Sequence, residues 1–98
     1  SGSAPAYLYA FIEALEAAGE AAGLPSESAK SLARATIAGA AALLAQSGEE
    51  PADLRRQVTS PGGTTQAALE VLMGEGGLGP LLKDAVAAAA RRSRELGA

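Results

Sequence analysis

Cysteine, histidine and tryptophan are all missing from the 98 residues. Without thiols or imidazoles the chain can have no disulfide, no cysteine nucleophile, no histidine base and none of the usual zinc ligands. Large aromatic side chains are scarce, with one Phe and two Tyr. We therefore assign no catalytic residue and no metal site to this chain.

The chain also has few positively charged residues and no long apolar run. The 8 Lys and Arg residues are outnumbered by 11 Asp and Glu, for a net charge of −3. Nucleic-acid binding depends on a basic surface, so we expect no nucleic-acid partner. No apolar run reaches the roughly 18 residues of a membrane helix, and no signal peptide is present. We expect no membrane contact and a cytoplasmic location.

Alanine dominates what is present, with 25 residues. Because an alanine buries little apolar area, a single domain spanning residues 1–98 would have a thin core as a monomer. Such a chain gains stability by sharing its core with a second copy. The composition therefore predicts a homodimer.

Apolar residues recur at helical spacing, and no segment alternates with period two. We predict an all-α fold of about five helices. The first predicted helix has Ser3 as its N-cap and Pro5 in its first turn, and Gly23 ends it. The next three cover residues 26–47, 52–57 and 64–73. The last starts at Pro80 and has Arg91, Arg92 and Arg94 in its final turns.

The second predicted helix has no charged residue between positions 35 and 45. A surface helix needs a polar face, and eleven residues are too few to span a bilayer. We expect this segment to be surrounded by protein, most of it from a partner subunit. The predicted dimer core is Ala35, Ile37, Gly39, Leu43 and Leu44.

The most distinctive stretch is residues 58–65, which interrupts the alanine-rich helices. Pro61 fixes its own φ, and Gly62 and Gly63 allow close backbone approach. Thr64 and Thr65 follow at a helix start, where unpartnered N–H groups attract anions. A simple Pro-Gly turn capped by threonines is the alternative. Four hydroxyls and two glycines within seven residues exceed what a turn needs, and this favours a pocket for a small carboxylate or phosphate.

Three other patterns have simpler explanations. Residues 74–79 match G-x-G-x-x-G, but a helix rather than a strand precedes them, so we interpret them as a helix–helix turn. The carboxylates at Glu13, Glu16, Glu20, Glu49 and Glu50 lack apolar surroundings, and we expect them to be solvated or at helix starts. The three arginines near the C-terminus compensate the carbonyl end of their helix.

The loop and several other segments resemble the C-terminal dimerisation domain of pyrroline-5-carboxylate reductases. Ser-Pro-Gly-Gly-Thr-Thr at residues 60–65 is similar to the signature segment of that family. The start, Ser-Gly-Ser-Ala-Pro-Ala-Tyr, is similar to the family's Ser-Gly-Ser-Gly-Pro-Ala-Tyr. Further similarities in order along the chain lie at residues 23–25, 39–41, 54–59 and 92–96.

The resemblance implies an intertwined helical homodimer, which can assemble further into decamers. It implies a part in reducing 1-pyrroline-5-carboxylate to L-proline with NAD(P)H, the last step of proline biosynthesis. The substrate carboxylate would be held by Ser60, Gly62, Gly63, Thr64 and Thr65, and presented to the nucleotide-binding domain of the partner subunit.

Two positions depart from the family pattern: Ala4 replaces the usual Gly, and Arg56 stands where many members have Asp. No dinucleotide-binding domain is recognisable in these residues, so we expect the isolated chain to bind but not to turn over. The alternative is a stand-alone or engineered helical oligomerisation module without an enzymatic role.

Overall fold

The computed structural model describes residues 3–97, and every regular element in that range is a helix. The Ser1–Gly2 start of the first similar segment lies outside the described residues. The five helices are α1 (Ala4–Ala21), α2 (Ser26–Ser47), α3 (Pro51–Gln57), α4 (Thr64–Leu72) and α5 (Leu78–Glu95). The predicted all-α fold with five helices is confirmed. None of these helices is long and apolar enough to cross a membrane.

The helix bounds follow the sequence signals closely, with one clear exception. The predicted start of the last helix at Pro80 is wrong, because α5 begins at Leu78 with Gly77 as its N-cap. Pro80 is the third residue of α5. The first N–H groups of a helix have no intrahelical partner, so a proline is tolerated there as well as at the first position. Two smaller differences are of one residue each: α3 starts at Pro51 rather than at residue 52, and α4 ends at Leu72 rather than at Met73.

One compact unit extends to Glu50 and consists of α1 packed against α2. Its contact is built on small residues: Ala29 and Ala33 are buried, at 2% and 4% exposure. A Cβ added to Gly19 would lie 3.3 Å from the Ala29 Cβ, so glycine lets the two helices approach closely here.

An ion pair also joins α1 to α2. The Arg34 Nε donates to a Glu16 carboxylate oxygen at 2.9 Å. The Glu16 side chain is only 15% exposed, whereas Arg34 is 66% exposed. The expectation that Glu16 is solvated is therefore wrong, because α2 supplies a partner that the local sequence of α1 does not reveal.

We predict a coupling free energy of about 0.5–1 kcal/mol between Glu16 and Arg34, at the upper end of the range for surface pairs because Glu16 is mostly covered. A double-mutant cycle with Glu16→Gln and Arg34→Met, measured by urea unfolding at fixed protein concentration, gives this value. The matched control is the Arg92–Glu95 pair, 3.1 Å apart with both side chains more than half exposed. Equal coupling in both cycles would contradict the prediction.

The second compact unit starts at Pro51 and contains α3, α4 and α5. A tight turn joins the last two helices, with the Gly77 N–H donating to the Gly74 carbonyl at 3.0 Å. A Cβ on Gly77 would collide with the Leu72 carbonyl group, 2.7 Å from its carbon. Steric crowding thus requires glycine at positions 74 and 77, and residues 74–79 form the helix–helix turn that the sequence predicts.

This crowding gives a paired prediction. Gly77→Ala should lower the free energy of unfolding by more than about 2 kcal/mol, because the Leu72 carbonyl must move. Gly79→Ala meets nothing within 4 Å and lies inside α5. It should raise stability by up to about 1 kcal/mol through helix propensity. Thermal or urea unfolding of both variants checks the difference in sign, and loss of stability in both would refute it.

The apolar side chains of the long helices are largely uncovered within one chain. Among the described residues only Ala29 and Ala33 are buried. In the uncharged part of α2, Leu43 and Leu44 are 53% and 44% exposed, Ile37 is half-buried, and Ala35 and Gly39 are exposed. One chain therefore does not cover the segment expected to be surrounded by protein. That these residues form a dimer core remains a prediction.

Candidate functional site

The candidate site is the loop between α3 and α4, and its first part is anchored to α3. The Thr59 hydroxyl donates to the Arg55 carbonyl oxygen at 2.6 Å. The Thr59 N–H donates to the Arg56 carbonyl oxygen at 3.1 Å. Thr59 is half-buried, so the loop leaves α3 from a fixed position.

The next four residues form a hydrogen-bonded β-turn. The Gly63 N–H donates to the Ser60 carbonyl oxygen at 3.1 Å. Pro61 occupies the second position, and Gly62 the third with φ of +73°. Proline followed by a residue of positive φ is the signature of a type II turn. A Cβ on Gly63 would lie 3.3 Å from the Ser60 oxygen, so both glycines suit this geometry.

The turn delivers the chain directly into the N-terminus of α4. Gly63 is the N-cap in an extended conformation, and its carbonyl accepts from the Ala67 N–H at 3.2 Å. No side chain of the described residues caps this end. The N–H groups of Thr64 and Thr65 have no intrahelical acceptor, because they belong to the first turn. They are donors aligned with the positive end of the helix dipole.

Three residues with hydroxyl groups lie in this turn and the first helical turn. Ser60 and Thr64 are exposed, and Thr65 is half-buried. Within the described part of the chain, none of the three hydroxyls has a hydrogen-bond partner. The loop therefore brings together the five residues predicted for the site, with hydroxyl and backbone donors available to an anion.

A groove beside the loop adds residues that sequence reasoning missed. It is lined by Arg55, Thr59, Gln66, Leu69, Glu70 and Met73. The Gln66 side-chain oxygen accepts a hydrogen bond from the Gly62 N–H. A glutamine at the third helical position is half of the capping-box pattern, so the signal for Gln66 was present in the sequence. Thr59 already belongs to the distinctive stretch 58–65, whereas Arg55 carried no comparable local signal.

The turn before α5 has a similar backbone but different side chains. Gly76 has φ of +73°, and the extended N-cap Gly77 has φ of −81° and ψ of −156°. The corresponding values at Gly63 are −88° and −176°. Leu78 and Gly79 follow where α4 has two threonines. The two helix starts thus differ mainly in their hydroxyls.

Nothing else in the described range gathers into a metal or acid–base centre. No cluster of three or more His, Cys, Asp or Glu that could hold a metal occurs among residues 3–97. The residues around 74–79 form a turn between two helices rather than the strand-to-helix turn that a dinucleotide requires. The loop at 58–65 is the strongest candidate site.

Comparison with known proteins agrees with the fold. A family model described as pyrroline-5-carboxylate reductase dimerisation matches residues 1–96. The pyrroline-5-carboxylate reductase of Pisum sativum is 54% identical over 96 residues, which is 98% of this chain and 35% of that protein. The second such reductase of Bacillus subtilis is 53% identical over 72 residues, 74% of this chain and 26% of that protein.

Two solved structures share the fold. A pyrroline carboxylate reductase of Plasmodium falciparum with NADP bound superposes with a TM-score of 0.92 at 36% identity, over 100% of this chain and 39% of that one. A pyrroline-5-carboxylate reductase of Coxiella burnetii gives 0.89 at 42% identity, over 96% and 34%. The chain spans about a third of the length of these relatives. It belongs to the pyrroline-5-carboxylate reductase dimerisation family.

Proposed function

We propose that the loop at residues 58–65 binds the carboxylate of 1-pyrroline-5-carboxylate, or of the product L-proline, in an NAD(P)H-dependent reductase. The observation that carries the proposal is the open N-terminus of α4, where the Thr64 and Thr65 N–H groups and the hydroxyls of Ser60, Thr64 and Thr65 have no partner among the described residues. The family to which this chain belongs supports the carboxylate of 1-pyrroline-5-carboxylate or L-proline as the anion.

Neutral donors are sufficient for this binding. Each hydrogen bond to a charged acceptor contributes about 1.5–3 kcal/mol, roughly twice the value between neutral groups. The dipole of α4 adds about 0.3–1 kcal/mol for an anion at its N-terminus. Ser60 would donate its hydroxyl, Thr64 and Thr65 their backbone N–H groups, and Thr65 its hydroxyl as well. Gly62 would shape the turn that brings them together. The Gly63 N–H, which the family resemblance also implies as a donor, is already bonded to the Ser60 carbonyl oxygen.

The residues described here do not fit a nicotinamide dinucleotide. They lack the strand-to-helix turn that receives a pyrophosphate, and Gly74 and Gly77 lie against backbone atoms at the end of α4. We therefore derive no chemical step through the cofactor from this chain. Its own contribution is to hold and orient the imino acid while hydride is delivered to the ring C=N carbon.

A homodimer is the second part of the proposal. One chain leaves large apolar side chains on α1, α2, α4 and α5 exposed, and it buries only two alanines among the described residues. A domain with so little buried area cannot offset the entropy lost on folding. A second copy packed on these faces, α2 in particular, would provide the missing core. The cytoplasmic location, the decamer and the absence of nucleic-acid partners remain predictions.

Reconstitution tests the proposed activity. The 98-residue chain is mixed with a separately produced dinucleotide-binding domain of a relative, NADPH and 1-pyrroline-5-carboxylate. Oxidation of NADPH should require both proteins, and neither protein alone should give turnover. No turnover in the mixture, together with no effect of L-proline on the NMR signals of the loop amides, would reject the enzymatic role. The helical oligomerisation module would then be favoured, although the relatives compared above are all reductases.

A further inference from the structure

The side chain of Gln66 reaches back from α4 into the turn that precedes the helix. Its Oε1 accepts a hydrogen bond from the Gly62 N–H. Gln66 is half-buried and lines the same groove as Arg55 and Thr59. In a capping box the third helical residue binds the N-cap N–H, but here the Gly63 N–H is already bonded to Ser60, and Gln66 takes the N–H one residue earlier.

The bonded N–H belongs to the central peptide of the turn, between Pro61 and Gly62. Type I and type II turns differ in the orientation of this peptide, which changes the φ of the third residue from about −90° to about +80°. Gly62 has φ of +73°, so the central peptide points its N–H toward Gln66. The acceptor on Gln66 therefore favours one of two accessible turn forms.

This arrangement also assigns the donors of the loop. The Gly62 N–H is used by Gln66 and the Gly63 N–H by Ser60. At the start of α4, the N–H groups of Thr64 and Thr65 have no acceptor among the described residues. A flip of the central peptide would turn the Gly62 N–H away from Gln66 and break the hydrogen bond that ties the turn to α4.

We propose that Gln66 is a positioning residue, which holds the turn in the form that aligns Ser60, Thr64 and Thr65 around a substrate carboxylate. The inference rests on the proposed function and adds to it a residue that does not itself contact the ligand. Its effect is on affinity for the carboxylate, through the orientation of one peptide group.

The experiment compares Gln66→Met, which keeps the length and loses the acceptor, with Gln66→Glu, which keeps an acceptor oxygen. Gln46→Met on the exposed part of α2 is the matched control. Two quantities are measured on the 98-residue chain by NMR: hydrogen exchange of the Gly62 amide without ligand, and the Kd for L-proline.

In Gln66→Met, Gly62 exchange should accelerate at least about fivefold and the Kd should rise about 3- to 10-fold, as expected for one lost hydrogen bond. In Gln66→Glu, Gly62 should stay protected. The Kd of that variant should rise only through charge repulsion, so its difference from wild type should shrink as salt is added. The Gln66→Met difference should not depend on salt, and Gln46→Met should match wild type.

Unchanged L-proline affinity in Gln66→Met would overturn the positioning role, whether or not Gly62 exchange changed. Weaker affinity with unchanged Gly62 exchange would also overturn it, because the loss would not act through the turn. Failure of the wild-type chain to bind L-proline would overturn the proposed function instead. Gly62 exchange would then still decide whether Gln66 holds the turn.

Discussion

Gly39→Glu is expected to abolish the dimer and leave the 98-residue chain largely unfolded at micromolar concentration. Within one chain nothing lies within 4 Å of a Cβ at this position. The lone chain would therefore accept glutamate, and helix propensity would even improve by about 0.5–1 kcal/mol. In the proposed dimer the second copy covers this position, and an unpaired buried charge costs several kcal/mol. Light scattering and circular dichroism measure the two effects.

The direction of the stability change in Gly39→Glu distinguishes a lone chain from the proposed dimer. Ser28→Glu is the control, because it adds the same charge in the exposed first turn of α2, where the helix dipole favours it. This variant should remain folded and dimeric. A Gly39→Glu variant that is as stable and as dimeric as wild type would show that α2 does not form the dimer core.

Thr64→Pro is expected to weaken L-proline binding about 10- to 100-fold, the loss of one hydrogen bond to a charged group. Thr64 is the first residue of α4, where proline is favoured and its fixed φ suits the helix. Gly63 is already extended, as a residue before proline must be. The substitution therefore removes a donor N–H and a hydroxyl while keeping the helix. An NMR or calorimetric titration gives the Kd.

Leu78→Pro is the matched control for that substitution. Leu78 is the first residue of α5 and follows an extended N-cap glycine of similar backbone. The Leu78→Pro variant should bind L-proline with unchanged Kd, although the loss of a half-buried leucine lowers its stability somewhat. Thr64→Val, which keeps the N–H, should bind more tightly than Thr64→Pro. If wild type and Thr64→Pro bind L-proline with equal affinity, the N–H groups at the start of α4 are not part of the site.

Local signals in the sequence were enough for most of the fold. The limits of α2, Ser26 and Ser47, follow from the Pro25 before it and the Gly48 after it. The start of α5 was misjudged because a proline is compatible with several positions in the first helical turn, and the N-cap Gly77 looked like one more loop glycine. Glycine is needed at position 77 because the Leu72 carbonyl group lies next to it, and only the folded turn brings these two residues together.

The candidate site, which remains a prediction, could be proposed at the level of residue types but not of hydrogen bonds. The hydroxyls and glycines of residues 60–65 indicate an anion-binding turn, and the structure brings them together at one helix start. The partners of Gly62 and Glu16 depend on side chains four and eighteen residues away. Such contacts follow from rotamers and helix packing, which a pattern of residue types does not specify.

The most direct test of the account is an NMR titration of the 98-residue chain with L-proline, with L-prolinamide as the ligand that lacks the carboxylate. We predict shifts of the Gly63, Thr64 and Thr65 amides with L-proline only, and no shift of Leu78 at the similar start of α5. Shifts confined to other regions, or equal shifts with L-prolinamide, would contradict carboxylate binding by this loop.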